Sequence, residues 1–108
     1  MNRQKGIAMT VIIAGTITID ADNHDAILEA ALEMMAATRE EPGCIDYVFS
    51  PDARDRSVLH LFEKWENAAA LEPHMTSDHM AQWREKGAEL GVLGRDIALY
   101  EVTSEVPL

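Results

Sequence analysis

At 108 residues, 47% hydrophobic and 26% charged, the chain has the size and composition of one globular domain, with no room for a second core. Its 19 acids against 9 bases give a net charge of −10, which repels phosphate backbones and anionic lipid and argues against nucleic-acid or membrane partners. A single cysteine, Cys44, excludes an intrachain disulfide framework and points to a reducing, cytoplasmic setting.

Residues 1–8 read as a loose leader, with the domain running from 9 to 108; the apolar run that follows the leader is too short to span a bilayer. "TVIIAGTITI" (10–19) is rich in β-branched residues and weakly polar or apolar on both faces, which predicts a central strand covered on both sides. "DADNHD" supplies capping residues for a helix over "AILEAALEMMAATREE", whose stripe is Ile27, Ala31, Met34 and Thr38, widened by Leu28, Leu32 and Met35. "EPG" (41–43) stops that helix, and "CIDYVFS" (44–50) follows as a strand with Tyr47 and Phe49 on one face. Cys44, at the start of this strand, has no basic neighbour to favour its thiolate and reads as a small buried hydrophobe.

"PDARDR" is turn material, and "SVLHLFEKW" (57–65) completes a hairpin with Leu59, Leu61, Glu63 and Trp65 on one face and Val58, His60, Phe62 and Lys64 on the other. Asn67 caps a short helix over "AAALEPH". Thr76 or Ser77 caps a longer one over "DHMAQWREKGAEL", with Met80, Trp83 and Leu90 turned inward. "GVLG" is expected to break this helix before a last strand, "DIALYEV" (96–102). The order is β-α-β-β-α-β, the ferredoxin-like α+β pattern, with a four-stranded antiparallel sheet and helices on one face. The strands are apolar on both faces, so the uncovered face is expected to pair with a second copy in a homodimer.

Two of the four histidines, His74 and His79, flank the break between the two short helices in "EPHMTSDHM". Imidazole titrates near neutrality, so both are candidate acid–base groups if the break folds them toward one cavity; capping of helix ends is the plain structural alternative. No third ligand stands beside them in sequence: Glu72 and Asp78 read as solvated, and a metal site is not expected. Trp65 can direct its indole N–H at a substrate oxygen, although a tryptophan at a strand end serves more often as core. Glu63 is expected in a salt bridge at the dimer interface.

"EPGCIDYVF", "FEKWEN" with "AAL" behind it, and the "H" plus "SDHM" of the next helix, taken in this order, resemble the antibiotic biosynthesis monooxygenase family from about Thr10 to Val102. The resemblance implies a dimeric α+β barrel of two ferredoxin-like subunits, each with a pocket between sheet and helices. It also implies oxidation of a quinol, anthrone or other polyphenol by dioxygen with no cofactor, because an electron-rich phenolate can itself give an electron to triplet oxygen. On that footing His74 and His79 are the catalytic candidates. Trp65, Tyr47, Phe62, His60, Met80 and Trp83 are the substrate-binding ones. His60 stands where such proteins usually carry an apolar residue. A haem-degrading branch fits poorly: the first strand has no Asn, His74 stands where that branch has a Trp, and Arg84 is near the position of its iron ligand. An isomerase of small phosphorylated sugars would need a cationic clamp that so acidic a chain is not expected to offer. A non-catalytic binder of a small aromatic molecule is the remaining alternative.

Overall fold

The computed structural model describes residues 9–108; the leader expected over 1–8 lies outside them. The elements are β1 (Val11–Ile19), α1 (His24–Thr38), β2 (Cys44–Pro51), β3 (Val58–Trp65), α2 (Leu71–Met75), α3 (Asp78–Leu90) and β4 (Val92–Glu101), with short 3-10 turns before α1 and α2. The sheet is antiparallel in the order β2-β3-β1-β4, the ferredoxin-like α+β arrangement read from the sequence. Strand alternation sets what each face carries. Val11, Ile17 and Ile19 of β1, Tyr47 and Phe49 of β2, and Leu59, Leu61, Glu63 and Trp65 of β3 are buried beneath the helices. The opposite face carries Ile12, Ala14, Val48, Val58 and Phe62 beside His60 and Lys64, with no described helix or strand laid over it; Glu105 of the C-terminal segment meets Lys64 there at 2.6 Å.

Helix α1 buries Ile27, Ala31, Met34 and Thr38 as expected, joined by Ala30 and His24, whose Nδ1 lies 2.9 Å from the Arg56 carbonyl. Leu32 does not widen the stripe; it is 61% exposed, on the solvent side of the helix. The helix also stops at Thr38, so Glu41 belongs to the turn that follows and not to the last helical turn. The break expected over "GVLG" shrinks to Gly91, which ends α3 with its N–H on the Gly87 carbonyl at 3.0 Å. Strand β4 begins at once at Val92, four residues earlier than the sequence suggests, because Ile19 pairs with Val92 across a register shift.

Candidate functional site

A cavity of about 410 Å³ lies between the sheet and helices α2 and α3, a size typical of a small-molecule site. Its floor includes Ile13 and Ile17 of β1. Tyr47, Phe49 and Leu61 continue the floor, and Met80 and Trp83 of α3 form the roof, with Phe49 and Trp83 ring centroids 4.8 Å apart. Glu63 and His74 are polar groups at the buried end. Arg84 and Arg95 stand at the exposed end.

His74 is 1% exposed and its Nδ1 is 2.7 Å from Glu41 Oε2; His79 Nε2 approaches the same oxygen at 2.7 Å. An ionised carboxylate only accepts, so both ring nitrogens donate to it. In the neutral ring this puts the His74 proton on Nδ1 and leaves Nε2 as an acceptor; Nε2 is buried with no partner among the described residues. The break between the helices creates this arrangement. The Ser77 hydroxyl donates to the His74 carbonyl at 2.7 Å and accepts from the Met80 N–H at 3.2 Å, tying the end of α2 to the start of α3. The imidazole centroids end up 5.9 Å apart. Glu41 arrives from 33 residues upstream because the 41–43 turn packs against the 3-10 turn leading into α2. Gly43, at φ 87°, permits that contact: a Cβ there would stand 2.7 Å from the Ala70 methyl. Glu41, His74 and His79 present three donor atoms within 4.8 Å of one another and could also hold a cation, as two imidazoles and a carboxylate. Their 2.7 Å separations already satisfy them as hydrogen bonds.

Glu63 is 5% exposed, and its Oε1 accepts from Trp65 Nε1 at 2.9 Å. Burial pushes its carboxyl up to about 7; the indole hydrogen bond acts against this, and the charge of Glu41 adds to it. Near neutral pH Glu63 is therefore divided between acid and carboxylate. Burial, with Glu63 next in weight, also holds the Tyr47 phenol far above its usual range, so it stays a neutral hydrogen-bonding group. The Cys44 thiol is raised by burial and then by Glu41, which fits the inert residue expected, although Cys44 is half-buried and not fully buried.

The model of the antibiotic biosynthesis monooxygenase (ABM) family matches residues 10–86, well over half of the chain. The chain belongs to the ABM family. A Deinococcus radiodurans structure provisionally assigned as an antibiotic biosynthesis monooxygenase is 26% identical, covers 91% of this chain and 97% of its own, and superposes with a TM-score of 0.83. A Bacteroides thetaiotaomicron protein of unknown function, suggested to be an oxidoreductase, is 26% identical with a TM-score of 0.80, covering 89% of this chain and 100% of its own. An uncharacterized protein of Synechocystis is 29% identical over 98 residues, 91% of this chain and 67% of the relative.

Within this ABM fold the expected site residues separate into three groups. His74, Tyr47, Met80 and Trp83 line the cavity. Trp65 and His79 stand behind it: the fully buried Trp65 packs with its ring centroid 5.0 Å from that of His74, and His79 reaches Glu41 from beside a shallow recess on α1 and α3. Phe62 and His60 are not at the cavity, because residues at even positions of β3 point to the other face of the sheet. His60 Nε2 instead meets Asp52 Oδ1 at 2.8 Å near the hairpin turn, and that bond leads the effects holding Asp52 down at about 2. Glu63 is corrected in the opposite sense: it faces the helices and the cavity, not the open sheet face on which an interface was expected. Arg84 and Arg95 supply the cationic groups that the acidic composition did not lead one to expect. Glu41 was not legible as the third group because it lies 33 residues from His74 in sequence, beyond the reach of local spacing. Among the described residues no helix is long and apolar enough to cross a membrane.

Proposed function

We propose that the chain is a cofactor-independent monooxygenase that oxidises a quinol, anthrone or related polyphenol with dioxygen, acting as a cytoplasmic homodimer. The observation that carries this reading is the buried His74, a residue of the cavity lining, held through Nδ1 by Glu41 and left with a buried Nε2 that has no partner among the described residues. Nε2 takes the proton of a substrate hydroxyl, and the Glu41 carboxylate stabilises the imidazolium that forms. The resulting phenolate gives an electron to dioxygen, and the two combine at a ring carbon as a hydroperoxide. Its O–O bond breaks, one oxygen staying on carbon and the other leaving as water, so a hydroquinone and O2 yield a hydroxyquinone and H2O. Glu63, near its midpoint at neutral pH, is placed to return a proton to the departing oxygen. Trp65 acts through Glu63 and His74 without touching substrate.

The uncovered apolar face of the sheet supports the dimer, and the single cysteine and acidic surface support the cytoplasmic setting. The test is oxygen uptake by metal-stripped protein over a panel of hydroquinones and anthrones. Uptake above buffer that disappears in His74→Ala is the expected result. A panel with no uptake, joined to ligand-induced thermal stabilisation, would turn the reading to a non-catalytic binder. Product formation that persists under nitrogen would turn it to an isomerase.

A further inference from the structure

We infer that the natural ligand of the cavity carries an anionic group, a carboxylate or phosphate on the end of the aromatic ring opposite the reacting hydroxyl. This rests on the cavity being the substrate site. Its polar lining residues divide by burial: Glu63 and His74 are buried, whereas Arg84 and Arg95 are exposed to solvent. In a chain with 19 acids and 9 bases, neither arginine meets a carboxylate within 4.0 Å among the described residues. Arg56, Lys64 and Lys86 do, and Arg39 and Arg54, which do not, are not among the residues lining the cavity. The one hydrogen bond among the described residues from either guanidinium is a long one, Arg84 Nη1 to the Met75 carbonyl at 3.4 Å.

Strand register explains how Arg95 stays unneutralised. Arg95 lies opposite Ile17 on the cavity face, and alternation sends its neighbour Asp96, opposite Thr16, to the other side of the sheet. A net charge of −10 works against anions approaching this molecule, so two uncompensated guanidiniums at one cavity mouth form a local exception in its field. Guanidinium forks match carboxylate and phosphate oxygens equally well in geometry. A ligand with its ring on Phe49 and Trp83 and its anion on the arginines would turn its far end to His74.

The test separates binding from turnover. Titrations followed by tryptophan fluorescence under nitrogen compare 1-naphthoate, 1-naphthyl phosphate, neutral 1-naphthamide and cationic 1-naphthylmethylamine, none of which needs to react. One or both anions should bind about tenfold more tightly than the amide, the scale of a partly exposed charge-assisted pair, and the amine weakest. Arg84→Met and Arg95→Met should each reduce the preference and together abolish it, while amide binding stays the same; Arg54→Met, away from the cavity, should change nothing. Naphthoate against phosphate identifies which anion the mouth prefers. Equal affinity for anion and amide, or a preference that survives both substitutions, overturns the inference. Anion-selective binding with no oxygen uptake from any quinol would leave the inference standing and remove the oxygenase reading, whereas uptake with no anion preference would do the reverse.

Discussion

Replacing Glu63 with glutamine should stabilise the protein, and by an amount that grows with pH. Glu63 titrates at about 7 in the folded chain against 4.5 for an unperturbed glutamate, chiefly because burial disfavours its charged form. A raised carboxyl pKa means that the folded state holds a proton the unfolded state has released. Stability therefore falls as pH rises from about 4.5 to about 7 and levels off above that. Integrating those two midpoints, the group costs roughly 1 kcal/mol at pH 5 and about 3 kcal/mol at pH 8. Glu63→Gln removes the titration, and its amide oxygen can still accept from Trp65 Nε1, so the indole is not orphaned. Urea denaturation of both proteins at pH 5 and pH 8 isolates the effect, since every other titrating group is common to the two and cancels. The variant should gain about 2–3 kcal/mol relative to the parent between the two pH values. A difference that stays constant with pH would refute the reasoning, for it would mean that Glu63 is ionised in the fold as readily as in the open chain.

Under the proposed function, His74→Ala should lower the oxygen-uptake rate by at least ~10²-fold with little change in binding, the usual loss for a general base, as steady-state kcat and KM measurements will read. Glu41→Gln should lower kcat less, because the ring keeps an oxygen to hold Nδ1 but loses the charge that stabilises imidazolium. Gly15→Ala should destabilise the fold by more than about 2 kcal/mol in urea titrations: Gly15 sits at φ 151°, and an added Cβ would stand 2.0 Å from the Asp96 carbonyl oxygen of β4. If the proposed homodimer forms through the open face of the sheet, Phe62→Asp should convert it to monomer in light scattering after gel filtration while leaving its circular dichroism intact.

What could and could not be read from the sequence follows from the range over which each feature is decided. The succession of elements along the chain, the α1 stripe and the Asn67 and Ser77 caps depend on neighbours within a few residues, and the Asn67 and Ser77 side chains cap the 3-10 turn and α3 as expected. The division of β3 into two faces was equally local, and it already placed Glu63 with Leu59, Leu61 and Trp65. Locality could not say which of the two faces the helices would cover. A carboxylate sharing a face with three apolar residues looks like an interface group until helices are laid over it, and then the same alternation makes it a buried acid beside an indole. That single assignment also decides Phe62 and His60, which were expected at the cavity and must leave it once Glu63 enters.

Glu41 poses a different problem, because its role depends on closure between distant segments. In "EPG" it reads as a helix stop, and α1 does end before it. Only the seating of Gly43 against Ala70 brings its carboxylate to His74 and His79. The i, i+5 spacing of the histidines, unfavourable on one continuous helix, becomes productive because Ser77 bends the chain between them. Under the proposed function the two histidines therefore have unequal roles. His74 lines the cavity and has one nitrogen on the carboxylate and the other buried without a partner among the described residues, whereas His79 turns its Nε2 to Glu41 from outside the cavity. A substitution at His79 removes a donor to Glu41, so it acts on the base only through that carboxylate, and its effect on turnover should be smaller than the loss of His74 itself.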